Sequence, residues 1–404
     1  MLLYITVKSN KMFEFSSIFY LFFVYVYLVS ALFVNFLQLC SMVLWPINKS
    51  LYRKINWYLV RSYWCHFTFV AEWWSGCDCI AYIDPKDREH AGKEHIVVTM
   101  NHKYEIDWIM AWILAERCNM IGGTKVYSKE ILKYVPTIGW SWVFVESIFL
   151  KRDWKIDQKR IHDGVKELVS FPEGYFFTIL LFPEGTRFTP EKHEASLEVC
   201  RQKGYPELKH HLLPRTKGFV YSMLEMKGKV KAVYDLTMGF KDEAEPSLMN
   251  VLRGNKIIGH MRIRRHEISK MPDTEKELGD WLRNLYKEKD DALDNFQKTG
   301  QFDLPAYHVP KKYNDLLIWL AWAIVTGVPL FYFLCQILIS GTLLQKVFTI
   351  GFFVFLSVAA KWLIGFTETK KSSKYGTKQN LKKENAIKES LKNENVIKEN
   401  CKQQ

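Results

Sequence analysis

No Cys-x-x-Cys pair occurs in this chain. Its eight cysteines are scattered, and Cys77-Asp78-Cys79, the one close pair, has no second pair to complete a tetrahedral zinc site. Reduced thiols facing the cytosol are therefore expected, and no metal. No zinc-finger or RNA-binding signature is present either, so nucleic acid is not an expected partner despite a formal net charge of +13. No Gly-x-Ser-x-Gly turn exists, which excludes the nucleophile elbow of the serine hydrolases. The apolar run that starts at Ile18 is longer than the core of a cleavable signal peptide, and no small-residue cleavage site follows it.

What is present points to a membrane and to phosphate. A chain of 404 residues is long enough for two or three units; 15% of it is aromatic, and its apolar residues are clustered. From Ile18 to Trp45 the chain is almost unbroken apolar, with Asn35 and Gln38 late in the run. As a helix this run covers roughly 42 Å against a hydrocarbon core of about 30 Å, so a tilted span is expected over 17–45, behind a short N-terminal segment 1–16. Over 53–75, Lys54, Arg61, Cys65, Thr68 and Glu72 form a polar stripe on an aromatic helix, the pattern of a helix at headgroup level. Two further apolar runs, Leu316–Ile339 and Val347–Phe366, predict a transmembrane hairpin over 316–366. The lysine-rich, low-complexity tail 370–404 is expected to be disordered and to brush anionic lipid.

Residues 77–300 read as an α/β domain. Strands are expected at Cys79–Ile83, His95–Met100, Phe177–Phe182 and Val230–Met238, and a helix over Leu278–Phe296; the polar Lys192–Pro214 is expected as a surface insertion. Lys49, Arg53, Lys54 and Arg61 after the first span, and the lysine tail after the hairpin, put these flanks and the α/β domain on one side, the cytosolic one by the positive-inside rule. The sequon at Asn48 would then stay unglycosylated.

Two stretches carry the chemistry, and each follows an expected strand. In Asn101-His102-x4-Asp107, the aspartate falls in the first turn of a helix, where its carboxylate can fix one ring nitrogen of His102 while the other faces a cleft. That is a serine triad without its serine, so a substrate hydroxyl takes the nucleophile's place. In Phe182-Pro183-Glu184-Gly185-Thr186-Arg187, Gly185 permits a turn, Arg187 can take a phosphate in a bidentate fork, and Glu184 can accept a glycerol hydroxyl or orient Arg187. Ligands of open α/β sheets bind beyond the carboxyl ends of strands, so the two stretches are expected to form one site.

These two blocks, in this order, resemble the signature of the glycerolipid acyltransferases. Ser128-Lys129-Glu130-Ile131-Leu132, Tyr134-Val135-Pro136 and Ile138-Gly139-Trp140 resemble the lysine block of that family; Ile148-Phe149-Leu150-Lys151-Arg152 resembles its second block, and Leu213-Pro-Arg-Thr-Lys-Gly-Phe219 the lysine-glycine block that follows. The resemblance is greatest to the animal 1-acylglycerol-3-phosphate acyltransferases of the gamma and delta type, and runs from about residue 20 to 376. It implies an α/β fold with a mixed sheet flanked by helices, an N-terminal membrane helix and a C-terminal transmembrane hairpin. It also implies acyl-CoA-dependent acylation of the sn-2 hydroxyl of lysophosphatidic acid at the endoplasmic reticulum membrane. By the same resemblance His102 is the base, Asp107 its orienter and Arg187 the phosphate ligand, with Lys129 and Arg152 as helpers; Glu184, Gly185 and Thr186 shape the acceptor site, and Lys217 joins the substrate-binding set. Acyl-CoA is a co-substrate, and neither cofactor nor obligate protein partner is implied.

Two departures are visible. Glu146 stands where the second block often opens with glycine, and Val233-Tyr234-Asp235 lacks a proline; both put the acceptor headgroup in question. The competing readings are an acyltransferase for another lysophospholipid (lysophosphatidylinositol or monolysocardiolipin), a non-catalytic protein that binds phosphatidic acid, and a thioester hydrolase.

Overall fold

All four expected strands lie in one sheet, and four more join them. In the computed structural model, residues 2–172, 174–241 and 245–367 are described; the lysine-rich tail lies outside them. The strands are β1 (Asp78–Ile83), β2 (Ile96–Met100), β3 (Thr124–Lys129), β4 (Ile148–Leu150), β5 (Thr178–Leu181), β6 (Ala232–Phe240), β7 (Ile258–Glu267) and β8 (Ala306–Tyr307). Their order is β4-β3-β5-β2-β6-β7-β1-β8. From β4 to β6 neighbours run parallel; β6 and β7 are antiparallel, β7 and β1 parallel, and β8 closes the edge antiparallel. Every residue of β2 is buried, as a central parallel strand covered on both faces requires.

Ten further helices surround the sheet and the two at its start, α1 (Leu2–Ser41) and α2 (Lys49–Phe69): α3 (Pro85–Arg88), α4 (Asp107–Arg117), α5 (Ile138–Phe144), α6 (Trp154–Leu168), α7 (Pro190–Lys203), α8 (Thr216–Met226), α9 (Leu248–Leu252), α10 (Glu275–Thr299), α11 (Asn314–Ser340) and α12 (Leu343–Thr367). Alternation along β2 divides the core. Ile96, Val98 and Met100 pack with Ile109 and Met110 of α4 and with Phe23 and Trp319 from α1 and α11. Val97 faces the opposite layer, with Ile161 of α6, Phe219 of α8 and Leu282 of α10.

Two described helical stretches are long and apolar enough to cross a membrane, Phe19–Leu44 and Asn314–Ser340; Leu343–Val358 is a shorter apolar helix. The helix runs on N-terminally to Leu2, so no break separates 1–16 from it. Its late polar residues face protein. Asn35 donates to the Ser141 hydroxyl of α5 at 2.7 Å, and Gln38 accepts from the same hydroxyl at 3.0 Å.

Most of the polar stripe on α2, expected to lie at headgroup level, turns inward, with Lys54 left half-buried. Arg53 is buried and bonds Glu146 through both Nε and a terminal nitrogen, and Arg61 bonds Glu116 at 2.7 Å. Cys65, Thr68 and Glu72 are buried, with Glu72 paired to Arg117. The partner carboxylates come from α4 and from the turn after α5, at sequence distances that periodicity cannot see. Asn48 N-caps α2 by accepting the Leu51 N–H at 2.9 Å.

The segment expected as a surface insertion is helix α7 followed by a strap packed on α10. Asp290 accepts from the Lys209 and His210 N–H groups, both at 2.7 Å, and from His211 Nδ1 at 2.8 Å, which buries His211.

Candidate active site

The register of β2 on β5 brings the two motifs together. Thr99 pairs with Leu181, so three residues further on His102 stands opposite Glu184. The His102 N–H donates to Glu184 Oε1 at 3.0 Å, the Phe188 N–H donates to the His102 carbonyl at 2.7 Å, and the imidazole stacks on Phe182 with 4.2 Å between ring centroids. Asn101 works one step earlier. Its side chain accepts from the Met238 N–H at 2.7 Å and donates to the Met238 carbonyl at 3.1 Å, which locks the end of β2 to β6.

Asp107, buried at the start of α4, accepts the Lys103 and Tyr104 N–H groups at 2.8 Å each through Oδ2, the oxygen that lies 3.4 Å from His102 Nδ1. Two short backbone bonds fix the carboxylate, and the longer contact to the ring is of the kind that tightens when substrate binds. Among the described residues no hydroxyl or thiol bonds the His102 ring. His102 lines a cavity of about 1640 Å³.

That cavity has two kinds of wall. Its lining includes His102, Lys129, Arg152, Gly185, Thr186, Arg187, Arg215 and Lys217; most of the remainder is apolar, with Val98, Trp108, Ile109 and Phe67 from the sheet, α4 and α2 among it, and Arg88, Lys125 and Asp157 as charged exceptions. The cations come from the carboxyl ends of β3, β4 and β5 and from the start of α8, as a ligand site in an open α/β sheet demands. Burial lowers the Lys129 pKa, and Arg152 and Arg187 lower it further; burial and Arg215 do the same to Arg152. Burial also lowers Arg187, while the carboxylates of Glu105 and Asp107 oppose the shift. No carboxylate lies within 4.0 Å of the Lys129, Arg152, Arg215 or Lys217 cation among the described residues, so the cluster is poised for an anionic ligand.

Similarity to known proteins identifies the arrangement. The acyltransferase family profile matches residues 82–241, and the acyltransferase C-terminus profile matches 250–322. The chain is 42% identical over 366 residues to the human 1-acyl-sn-glycerol-3-phosphate acyltransferase delta, covering 91% of this chain and 96% of that protein. To the delta enzyme of Bos taurus it is 41% identical over 367 residues, with 91% and 96% covered. To the human gamma enzyme it is 41% identical over 360 residues, with 89% and 95% covered. The chain belongs to the 1-acyl-sn-glycerol-3-phosphate acyltransferase family. The crystal structure of the 1-acyl-sn-glycerophosphate acyltransferase PlsC from Thermotoga maritima superposes with a TM-score of 0.42 at 15% identity, covering 68% of this chain and 95% of that one.

Within this acyltransferase the structure redistributes some of the expected roles. Glu184 does not line the cavity. It is buried, and its second oxygen accepts the Leu212 N–H at 3.1 Å, so both oxygens are used by the backbone and none is left for a glycerol hydroxyl or for Arg187. Burial pushes Glu184 up to about 8, against the two N–H donors and the charge of Lys289, which pull it down. It is a strut beneath His102. Thr186 accepts from Lys192 Nζ at 2.8 Å, and Arg152 donates to the Gly185 carbonyl at 3.0 Å, so each ties a cation to the turn. Gly185 takes φ +71°, and a Cβ there would press within 3.1 Å of the Arg215 side chain.

Two cluster residues, Lys192 and Arg215, are not apparent from the sequence. Arg215 lies within the lysine-glycine block, and Lys192 lies five residues past Arg187 on a new helix, where spacing alone is mute. Of the two departures from the family pattern, Glu146 and Asp235 lie off the cavity, whereas Tyr234 lines it. Glu146, at φ +62°, is held in a glycine-like conformation by Arg53, and Asp235 is buried in β6 against Lys289.

Proposed function

We propose that this acyltransferase transfers an acyl group from acyl-CoA to the free sn-2 hydroxyl of 1-acyl-glycerol-3-phosphate, yielding phosphatidic acid and free CoA. The observation that carries the reading is a carboxylate-backed histidine, with no hydroxyl or thiol bonded to its ring among the described residues, lining one cavity with a basic cluster and a largely apolar remainder. His102 takes the proton of the acceptor hydroxyl as its oxygen attacks the thioester carbon. The carbon–sulfur bond then breaks, and the proton passes from His102 to the departing thiolate. Asp107 holds the ring and stabilises the imidazolium between the two steps. General-base catalysis of this kind contributes roughly 10²–10⁴-fold, and positioning of two bound substrates supplies much of the rest. Arg187, Lys129 and Arg152 take the acceptor phosphate, with Lys217 at the rim; Gly185 and Thr186 shape the turn beside it.

The relatives named for the same acceptor support this assignment. Lysophosphatidylinositol and monolysocardiolipin present the same kind of anion to the same cluster, so an acceptor panel on membranes carrying the full chain is the deciding experiment. Lysophosphatidic acid is expected to show the highest kcat/KM, and His102→Ala to lower turnover by about 10³-fold or more. Undiminished turnover by folded His102→Ala protein would sink the mechanism. The location we infer is the endoplasmic reticulum membrane, with the catalytic residues and the lysine tail on the cytosolic side; protease protection of the tail in sealed microsomes would refute it.

A further inference from the structure

The family motifs include a stretch to which the chemistry assigns no task, Ile131 to Val143. It leaves β3 at Lys129, makes a 3-10 turn over Glu130–Tyr134, passes Val135-Pro136-Thr137 and enters α5. It is held rigidly. Glu130 pairs with Arg160 at 2.8 Å, Tyr63 donates to the Thr137 hydroxyl at 3.1 Å, and Ser141 is bonded to Asn35 and Gln38 of α1. Gly139 lies so close to the Leu132 carbonyl that a Cβ would come within 2.0 Å of it, and Thr137 accepts φ +66°.

A segment so firmly anchored nevertheless exposes its large apolar side chains. Ile131 is 66% exposed, Tyr134 65%, Val143 47% and Trp140 39%. Ile131 and Tyr134 do more than face outward: both also line the cavity that holds His102. Contiguous exposed apolar surface of this kind marks an interaction site, and Trp and Tyr beside lysines suit the membrane headgroup region. Lys133 lies over the Tyr134 ring at 4.9 Å, and the Lys151 side chain is about half exposed beside Glu130. The patch continues onto the membrane-type helix, since α5 is bonded to α1 next to its exposed Phe36 and Leu39.

We propose that Ile131 to Val143 is a lipid portal: it inserts into the headgroup layer of a phospholipid leaflet and passes a single-chain phospholipid from that leaflet into the cavity, apolar tail across Ile131 and Tyr134, phosphate toward Lys129. The occupant of the surface is the leaflet, and its continuity with the apolar helices sets the orientation. The proposal rests on a lysophospholipid being the acceptor.

The test compares two forms of the same acceptor, using the full chain reconstituted in phospholipid vesicles. The Trp140→Ser, Val143→Ser double variant, altered only outside the cavity, is expected to raise KM for long-chain lysophosphatidate in the vesicles about tenfold at unchanged kcat. KM for a short-chain, water-dispersed lysophosphatidate is expected to stay at the wild-type value. An equal rise for both acceptors, or a rise for neither, overturns the portal. A photo-crosslinking amino acid at Tyr134 supplies a second measurement that needs no turnover: a covalent adduct with vesicle phospholipid supports insertion, and a chain without lipid adduct overturns it. Absence of transfer by the wild type to either acceptor would refute the acyltransfer reading instead, leaving the crosslink to decide the surface.

Discussion

Glu184 is a motif residue whose bonds run to the backbone, off the cavity. A carboxyl group with both oxygens accepting from the N–H groups of His102 and Leu212 sets where the His102 backbone lies, in a site where small displacements are costly. An amide cannot do the same, because its NH₂ would face one of the two donors. Glu184→Gln is therefore expected to cost about 1–3 kcal/mol of stability and to lower kcat more than it raises KM, measured by thermal unfolding and by initial rates. The raised pKa has a definite sign. A carboxyl group with a folded pKa of about 8, against a model value of 4.5, binds its proton more tightly in the folded state. Its contribution to stability is complete below about pH 4.5 and is lost as pH rises toward 8, by up to about 1.4 kcal/mol per pH unit. Unfolding followed across that window should show a falling stability in the wild type whose slope is reduced by one proton's share in Glu184→Gln, with Glu72 supplying part of what remains.

At the scale of elements, α10 reaches the active site without contributing a residue to it. Asp290 gathers the Lys209, His210 and His211 groups, that strap delivers the Leu212 N–H to Glu184, and Glu184 holds His102. Asp290→Ala is expected to lower kcat about tenfold with little change in acceptor KM, and Asp290→Asn, which still accepts two N–H bonds, to recover part of the loss; initial-rate kinetics on both variants measure it. The elements hidden from the sequence are those whose charges are neutralised from afar. Strand β7 carries Arg262, Arg264 and Arg265, and reads as polar until Asp303, Glu288 and Glu94 are placed against it. Strand β3 contains Lys125, which is buried and donates to the Val145 carbonyl. By contrast, β2 and β5 announce themselves, since a strand covered on both faces has to be apolar throughout.

For the whole molecule, the membrane-type helices and the sheet share one core, although the sequence separates them into segments. Phe23 and Trp319 pack in the same cluster as Ile96 and Val98, and Phe69 stacks on Trp319 at 3.9 Å. Arg117 on α4 is the charged centre of this joint: it pairs with Glu72 after α2 and with Asp78 at 2.8 Å on β1, and donates to the Val309 carbonyl at 2.9 Å ahead of α11. Burial pushes Glu72 up to about 7 even with Arg117 beside it, so removing the cation would leave an uncompensated carboxyl group. Arg117→Ala is expected to destabilise the chain by about 3–5 kcal/mol, read as a shift of the unfolding midpoint in detergent. A piece spanning 77–300 alone should fail to fold, because it exposes the face that α1, α2 and α11 cover; a soluble, cooperatively unfolding fragment would contradict this.

Sequence by itself marked the two motif stretches and the long apolar runs. His102, Asp107 and Arg187 are chemical groups at set distances from apolar strands, and uninterrupted apolar length is a local property. Only the tertiary structure decided what Glu184 does, that Lys192 and Arg215 join the cation cluster, that most of the stripe on α2 faces protein, and that Glu146 and Asp235 lie away from the cavity. The physical reason is common to all of these. Strand register and helix packing set which distant partner meets a charged or polar side chain, and that partner determines whether the group binds ligand, pairs internally or holds the backbone.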